Sequence, residues 1–405
     1  MRIPPTRASS TGFTLIELMV ALVLSLLLVV AMLKVQSSLA QQTVVSSDSG
    51  VRDNEARAAT NLVTQDLGNS GFLVADSQWP CTALFTYNNT TGTNTYYAHH
   101  AVDAIPATTT VTLPFAMGLT LNYPVTGSGI PSDVIAMTGS NDATDFSAAP
   151  VVLANPNGGA LTYTTGVIPI LANAALTSAQ KFGVFQITYG VPPAPSRTAC
   201  YRMPIGAIGI APATVTADTT TNLFPGTFFA GFAPSLAAAG FQGAPSNAVM
   251  FQGHLLSMGV TPNQVTNVYY VDKSLPYPVL MRAQYSLAND ALIGTPHAIA
   301  AGVVSIQALF GVDPGLTGAI TAYESAATVT TSIHWDFVRS VRIAIVSRSL
   351  NDDANYTAAN PLVLSNNFAN ISTAAFPHRR YQTNYIEMAA RNTLWTTNAG
   401  IGGPP

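Results

Sequence analysis

The sequence predicts an α+β protein, in which a long N-terminal α-helix is followed by a large β-rich head domain. An apolar run begins near residue 13 and continues to Leu33, and an amphipathic periodicity then extends the helix to about Leu67. After Gly71 the pattern changes to short runs rich in β-branched and aromatic residues, separated by turn residues. The 405-residue chain has room for this helix and one large domain or two smaller ones.

The apolar run has an unusual N-terminal flank. A short leader containing Arg2 and Arg7 precedes it, and one acid, Glu17, lies inside it. A secretory signal peptide would be cut after the run, and residues 37–40 offer a small-residue site. A plain transmembrane anchor fits the length but leaves Glu17 unexplained, because a charge in an apolar span is costly and usually marks a function.

A third interpretation accounts for both the acid and the glycine before the run. The segment 12–17, Gly-Phe-Thr-Leu-Ile-Glu, resembles the class III signal of type IV prepilins. The resemblance implies that prepilin peptidase cuts after Gly12, that Phe13 becomes the methylated first residue, and that Glu17 serves filament assembly. Methylation keeps the charge of the new amine, and a carboxylate in lipid needs a cationic partner of this kind.

The N-terminal helix is predicted over residues 13–68, in two parts. Residues 13–35 are apolar on all sides and long enough to span a bilayer. Gly50 is a candidate bend in the second part, and Gly68 and Gly71 predict the end of the helix. The apolar positions of the second part are Val35, Leu39, Val44, Val45, Val51, Ala59, Leu62, Val63 and Leu67.

Composition narrows the range of partners. Charged residues make up 9% of the chain, the formal net charge is −3, and only three lysines occur. The chain therefore has no basic face for nucleic acid. A surface rich in Ser, Thr, Asn, Ala and Gly suits an exported β-rich protein.

Two cysteines occur, Cys81 and Cys200, and their spacing fits no zinc or redox motif. In an oxidising periplasm the two can form a disulfide, which is the predicted state. Closing so long a loop would contribute about 4–5 kcal/mol in the entropy model, an upper-end figure. The alternative is two separate buried thiols.

The C-terminal region extends the resemblance. Residues 302–313 read GV-x-S-I-Q-x-x-F-GVD, residues 338–349 read VRSVRIAI-x-x-RS, and residues 379–392 contain RRY-x-T and a final RN. These segments resemble the C-terminal half of PilW-type pilus assembly proteins. Residues 57–72 also resemble that family's DLR-x-AGF segment, although Gly68 and Ser70 replace the usual arginine and alanine.

The resemblance divides the chain into a leader, residues 1–12, the helix, residues 13–68, and a pilin-like head, residues 69–405. The middle, residues 82–262, matches only loosely, and residues 204–250 are predicted to be a loop-rich insertion because Ala, Gly, Thr and Pro dominate them. The loop after Asp313 has a single acid where family members often carry several, so we expect no calcium site there.

No catalytic motif is present, so we expect neither an enzyme nor a cofactor. The adjacent histidines His99 and His100 would point to opposite faces of a strand, which argues against a metal site. His334 is predicted to lie in a turn, and Asp352 and Asp353 are predicted to be solvated loop acids.

The expected function is that of a minor pilin that takes part in type IV pilus assembly or priming, at or near the tip. Its expected partners are prepilin peptidase, other minor pilins and the major pilin. The protein would start as a single-pass protein of the bacterial inner membrane, with its head in the periplasm, and end on the pilus surface. The alternatives are a J-like pseudopilin of a type II secretion system and an adhesin carried by the pilus.

Overall fold

The structure, a computed structural model, has the predicted α+β fold, a long apolar N-terminal helix and a β-rich C-terminal region. The chain divides into two units, Met1–Val51 and Arg52–Pro405. The structure describes residues 14–70, 84–88, 95–99, 102–106, 110–112, 120–122, 130–140, 146–150, 167–170, 181–190, 197–210, 213–217, 249–260, 264–274, 277–286, 291–315, 317–332, 334–365 and 367–389.

Helix α1 runs from Leu15 to Asn69, close to the predicted range, and it continues through Gly50. The predicted apolar stripe is buried only in its C-terminal part. Ala59, Val63 and Leu67 are buried together with Ala56. The earlier positions Val35, Leu39, Val44 and Val51 remain exposed. The first part of α1 therefore offers its apolar side chains to an environment outside the chain.

The rest of the described chain is mostly β-structure. In chain order the strands are β1 (Leu84–Asn88), β2 (Thr95–His99), β3 (Val102–Pro106), β4 (Thr110–Thr112), β5 (Thr120–Asn122), β6 (Asp133–Ser140), β7 (Phe146–Pro150), β8 (Val167–Pro169), β9 (Lys181–Gly190), β10 (Arg197–Ile210), β11 (Ala213–Ala217), β12 (Val249–Val260), β13 (Gln264–Asp272), β14 (Val279–Ser286), β15 (Ala291–Leu292), β16 (His297–Ala301), β17 (Val303–Val312), β18 (Ala322–Glu324), β19 (Val338–Arg348) and β20 (Tyr381–Ala389). A short helix, α2 (Ala326–Thr331), and a 3₁₀ turn, Trp335–Phe337, precede β19.

Within the described ranges these strands form four sheets. A six-stranded sheet has the order β15-β14-β13-β6-β3, with β16 also on β14. It contains the hairpin β13–β14, which the sequence predicts over residues 265–282 from two β-rich runs around a turn. A four-stranded sheet has the order β18-β17-β19-β20. An eight-stranded sheet has the order β2-β1-β10-β9-β12-β7, and it also includes β11, which pairs with β10, and β8, which pairs with β11. The fourth sheet consists of β4 paired with β5.

The first part of the predicted loop-rich insertion, residues 204–217, consists mostly of β-strand. Residues 204–210 belong to β10, and β11 follows directly with Val215 buried. Composition suggested a loop there, whereas the pairing of β10 with β11, and of β11 with β8, makes both segments strands. The remainder of the insertion, residues 218–248, lies outside the described residues.

The main core lies between α1, the six-stranded sheet and the four-stranded sheet. Val63 and Leu67 of α1 join Tyr269 of β13, Phe310 of β17 and Ile343 of β19 in one hydrophobic cluster. Alternation in residues 338–349 of the sequence predicts a strand with Val341, Ile343 and Ile345 on one face. The structure confirms this, because these three residues of β19 face this core while Ala344 and Val346 face a second cluster. That second cluster includes Leu364, Phe368 and Ile371 of the segment between β19 and β20.

Two side chains at the start of β6, those of Ser132 and Asp133, cover part of one edge of β17. The Ser132 hydroxyl accepts a hydrogen bond from the backbone N–H of Ile306 at 3.2 Å and donates to its carbonyl at 3.3 Å. The Asp133 carboxylate accepts a hydrogen bond from the N–H of Ala308 at 2.8 Å. These contacts satisfy backbone groups that a further strand would otherwise satisfy.

The burial of Asp133 predicts a pH-dependent stability. Burial raises the pKa of Asp133 from 3.8 to about 6, although the Ala308 hydrogen bond opposes the shift. The folded protein therefore binds a proton more tightly than the unfolded chain, and wild-type stability falls as the pH rises from about 4 to about 6. Asp133→Asn keeps an oxygen acceptor but carries no charge. We expect the variant to be more stable than wild type by about 2–3 kcal/mol at pH 8 and nearly equal at pH 4.

Urea unfolding of the full-length protein in detergent at both pH values checks this expectation. Asp352→Asn is the control, because its carboxylate is 65% exposed. If Asp133→Asn shows the same stability difference from wild type at pH 4 and pH 8, burial of a charged Asp133 is not the cause.

Candidate functional site

The N-terminus of α1 is closed by a capping box formed by Thr14 and Glu17. The backbone N–H and the hydroxyl of Thr14 each donate a hydrogen bond to Oε2 of Glu17, both at 2.9 Å. The N–H of Glu17 donates to the Thr14 hydroxyl at 3.4 Å. In such a box the N-cap residue and the third helical residue satisfy each other's free backbone donors. The Glu17 carboxylate is thus held beside the first turn of the helix.

This arrangement gives Glu17 a local role that the sequence analysis missed. The signal was present, since Thr-x-x-Glu before an apolar run is the sequence pattern of a capping box. Glu17 is also exposed and lies among apolar side chains. In the described part of the chain no basic group lies within salt-bridge distance of it. Gly12 and Phe13, the predicted processing residues, lie outside the described residues.

The apolar surface that follows Glu17 is continuous. Large hydrophobic side chains from Leu15 to Val35 are all more than half exposed. In the part of the chain that the structure describes, α1 is the helix long and apolar enough to cross a membrane. A surface of this kind is stable in lipid or against other apolar helices, and not in water. Length and composition therefore fit membrane anchoring through the first part of α1.

The last turns of α1 are joined to the six-stranded sheet by a buried ion pair. Asp66 lies on α1, and Arg282 of β14 donates to it twice, from Nε to Oδ2 at 2.8 Å and from Nη2 to Oδ1 at 3.1 Å. The Tyr269 hydroxyl of β13 donates to the same Oδ2 at 2.5 Å. Burial is the largest cause that raises the pKa of Tyr269, and the charge of Asp66 is the second. The phenol therefore stays protonated and remains a hydrogen-bond donor.

Other contacts add to this attachment. The Glu55 carboxylate accepts a hydrogen bond from the N–H of Ala301 at 3.1 Å. At the helix end, Ser70 forms an antiparallel bridge with Gly139 of β6. A β-carbon at Gly139 would lie 2.3 Å from the Asn69 carbonyl oxygen, so only glycine permits this close approach. Arg52–Asn69 are thus fixed to the sheets by polar contacts as well as by apolar packing.

The remaining candidate residues show structural roles. Asp313 is buried and accepts hydrogen bonds from the N–H groups of Thr317 and Gly318. Its carboxylate therefore binds the backbone of its own loop. Asp353 is buried, and its Oδ2 accepts hydrogen bonds from both Nε and Nη2 of Arg380, which hold the pKa of Asp353 below its ordinary value. The prediction of a solvated acid is therefore wrong for Asp353, because the arginine partner lies far along the chain. In the described part of the chain no cluster of His, Cys, Asp and Glu is placed to hold a metal ion.

Three further predicted residues can be placed. Asp352 is exposed and pairs with Arg379 at 2.8 Å. His334 precedes the 3₁₀ turn, as predicted, and its Nδ1 lies 3.1 Å from the Glu324 carboxylate. His99 is the last residue of β2, while the neighbouring His100 lies outside the described residues.

The cysteines can be placed only in part. Cys200 lies on β10, where its backbone is paired in register with Leu84 of β1 and Gln186 of β9. Cys81 lies outside the described residues, three positions before Leu84 in the sequence. The predicted Cys81–Cys200 disulfide therefore stays a prediction.

Comparison with known proteins gives two family matches. Residues 268–392 match the family described as Type IV Pilus-assembly protein W, PilW. Residues 7–33 match the prokaryotic N-terminal methylation motif. No curated protein and no solved structure matches the chain. The first match includes most of β13 and all of β14–β20, and the second includes the capping box and the apolar part of α1.

Proposed function

The two matches support a PilW-type pilin, and from this premise we propose that the chain is a minor pilin that takes part in type IV pilus assembly. Prepilin peptidase cuts it after Gly12 and methylates Phe13, and the mature chain acts at or near the pilus tip, where it helps to prime the filament. One observation carries the proposal: an exposed apolar helix begins with a capped acid, Glu17, directly after the processing signal.

The geometry suggests how Glu17 works in assembly. In the isolated chain its carboxylate is held by Thr14 at the helix start. Cleavage after Gly12 creates an α-amine on Phe13, and methylation leaves that amine positively charged. When apolar helices of neighbouring subunits pack side by side, the amine of one subunit neutralises the Glu17 carboxylate of the next. In a low-dielectric surrounding such a pair is favoured over a lone carboxylate.

The remaining parts have supporting roles. The apolar segment holds the protein in the inner membrane before assembly and forms the filament core afterwards. The basic leader residues Arg2 and Arg7 favour a cytoplasmic N-terminus, which places the head in the periplasm. The protein works by binding other minor pilins and the major pilin, and it is not an enzyme.

A second candidate function is that of an adhesin on the pilus. The eight-stranded sheet lies between residues 84 and 260, entirely outside both family matches. That sheet is therefore available to carry a binding surface. Pili that assemble normally with a chain lacking residues 146–260, which leaves β3 and β6 of the six-stranded sheet in place, but that lose surface attachment, would favour the adhesin.

Glu17→Ala tests the assembly role. We expect the variant to be cleaved and inserted in the membrane like wild type, because the cut lies before Thr14. Its amount in sheared surface filaments should fall by about tenfold or more, since a neighbour's amine loses a partner worth at least about 1.4 kcal/mol. Thr14→Ala is the matched control, because it weakens the cap and leaves the carboxylate. Quantitative immunoblotting of filament and membrane fractions checks this, and equal incorporation of Glu17→Ala would contradict the proposed role.

The disulfide gives a separate prediction for the head. Leu84 is paired beside Cys200, and three residues span at most about 10 Å of chain, so Cys81 is within reach of Cys200. Cys81→Ser should lower stability by about 2–5 kcal/mol under oxidising conditions and have no effect with reductant present. Thermal melts of both proteins with and without dithiothreitol check this. A wild-type melt that is insensitive to reductant would argue for two free thiols.

A further inference from the structure

Arg348, the last residue of β19, is a buried arginine without a carboxylate partner. The residue is 6% exposed. In the described part of the chain no carboxylate lies within salt-bridge distance of it, and its Nε is buried without a hydrogen-bond partner. A buried charge without a counter-charge is costly. Four other arginines have a carboxylate oxygen at 2.7–2.8 Å, namely Arg282, Arg342, Arg379 and Arg380.

The Arg348 guanidinium is held in a fixed position by neutral groups. Its central carbon lies 3.6 Å from the centroid of the Phe376 ring. Tyr381, the register partner of Arg348 on β20, forms a side-chain hydrogen bond with it. The backbone is fixed as well, because the N–H of Arg348 donates to the Gly302 carbonyl at 2.8 Å. These contacts orient the guanidinium but leave its charge uncompensated.

Two further cations lie near Arg348. The Arg379 guanidinium shares the Phe376 ring, with its central carbon 5.1 Å from the centroid. Lys273, in the turn between β13 and β14, is partly buried, and its Nζ donates to the Ile130 carbonyl at 3.3 Å. Burial lowers the pKa of Lys273, and the charge of Arg348 lowers it further. Burial, and then the charge of Arg379, likewise lower the pKa of Arg348. We call Lys273, Arg348 and Arg379 the basic cluster.

The carboxylates nearby do not balance the basic cluster. Asp352 pairs with Arg379 at 2.8 Å, its side chain is 65% exposed, and its charge is the weakest of the influences on the pKa of Arg348. Asp272 binds a neighbouring backbone N–H at 2.8 Å and a hydroxyl group at 2.6 Å. Among the described residues, no carboxylate lies within salt-bridge distance of Lys273. Two of the three positive charges in the cluster are therefore uncompensated.

A purely structural role does not account for this arrangement. Arg342, on the same strand, also lies over an aromatic ring, with its central carbon 3.7 Å from the centroid of Tyr323. There the charge is balanced, because Glu387 pairs with Arg342 at 2.7 Å. Around Arg348 the fold instead places a second and a third cation. Like charges brought together in this way are stabilised by an anion that binds between them.

We propose that the basic cluster binds a dianionic oxyanion, a phosphate or sulfate group. Two uncompensated positive charges match two negative charges, whereas a carboxylate would balance only one of them. A guanidinium donates paired N–H groups to such an anion, and an ammonium group adds a point charge. The Arg379 side chain is 18% exposed and Lys273 is partly exposed, so the anion reaches the cluster from solvent. This site is independent of the proposed function.

Thermal unfolding of the full-length protein in detergent at pH 8 tests the site. Sodium phosphate, sodium sulfate and sodium acetate are titrated separately, with sodium chloride added to keep the ionic strength constant. A ligand that binds only the folded state raises the melting temperature, so the titration gives an apparent Kd. Phosphate and sulfate should each give a saturable rise of about 2 °C, and acetate should give none.

Variants connect this rise to the basic cluster. Lys273→Gln removes one charge, keeps a donor group and leaves Arg348 stacked on Phe376, and it should raise the apparent Kd for phosphate about tenfold. Arg348→Gln should abolish the saturable rise, and Lys273→Gln keeps the test decisive where Arg348→Gln fails to fold. Arg342→Gln is the matched control, because its guanidinium also lies over a ring but is already paired with Glu387. It should keep the wild-type Kd.

A further titration with glycerol 3-phosphate distinguishes the sources of the anion. A lower Kd for the ester than for inorganic phosphate supports the site and identifies a phosphorylated organic molecule as the ligand. An equal or higher Kd for the ester supports the site and identifies the free ion.

Three results would overturn the inference. The first is the same phosphate response in wild type and Lys273→Gln. The second is a rise without saturation in wild type, which is the general effect of salts that are excluded from protein surfaces. The third is a response to acetate as large as the response to phosphate, because it would show that the site does not select a dianion.

Discussion

Gly12→Val is expected to abolish processing, with all of the protein retaining its twelve-residue leader. The resemblance to prepilins implies a peptidase that accepts glycine before the cut, and a branched β-carbon makes the backbone there bulkier and stiffer. Without cleavage no amine forms on Phe13, so Glu17 of a neighbouring subunit has no cationic partner. The variant should remain in the membrane fraction and fall to background in sheared filaments.

Intact-mass measurement of the purified protein checks this, because the leader accounts for a large mass difference. Gly50→Val is the matched control. It makes the same substitution within α1, at a position with open space around it. The control should be processed fully. Normal cleavage of Gly12→Val would contradict the assignment of the processing site.

Asp66→Ala is expected to destabilise the folded head by about 3–5 kcal/mol. The substitution leaves Arg282, whose side chain is 18% exposed, and the fully buried Tyr269 hydroxyl without their shared acceptor. An uncompensated buried charge accounts for most of this loss. Because Asp66 belongs to α1 and Arg282 to β14, the last turns of the helix should also exchange amide hydrogens faster.

Denaturant unfolding and hydrogen exchange of the full-length protein in detergent measure both effects. The control is Asp53→Ala, since Asp53 pairs with Arg52 at 3.3 Å but its side chain is 43% exposed. Its loss should stay below about 1 kcal/mol. The double variant Asp66→Leu with Arg282→Met should recover part of the stability, because it removes both charges together. An Asp66→Ala variant as stable as Asp53→Ala would show that the ion pair does not hold the helix.

Local patterns in the sequence predicted the elements whose signal is strong. The unbroken apolar run predicted the first part of α1. Alternation predicted β19, and two β-rich runs on either side of a turn predicted the hairpin β13–β14. The two clusters on either side of β19 follow from that alternation. Glu17 was identified as an assembly residue from the resemblance of residues 12–17 to a prepilin signal, and that role remains a proposal.

Features that depend on distant partners left no local signal. Asp66 and Arg282 are 216 residues apart, so nothing near either residue indicates the pair. The same holds for Ser132 and Asp133, which cover an edge of β17 more than a hundred residues away. The sequence did not predict β11 or the end of β10, because the composition of these residues resembles that of a loop. Their pairing with each other is what makes them strands.

The most direct test of the account is mass spectrometry of the N-terminal peptide, in sheared surface filaments and in the membrane fraction. The account predicts a peptide that begins at N-methylated Phe13 in both fractions. The same peptide in membranes alone would keep the pilin chemistry and favour a pseudopilin of a secretion system. A peptide that begins after Ala40, or an intact Met1, would contradict the central claim that Gly12, Phe13 and Glu17 form a pilin assembly signal.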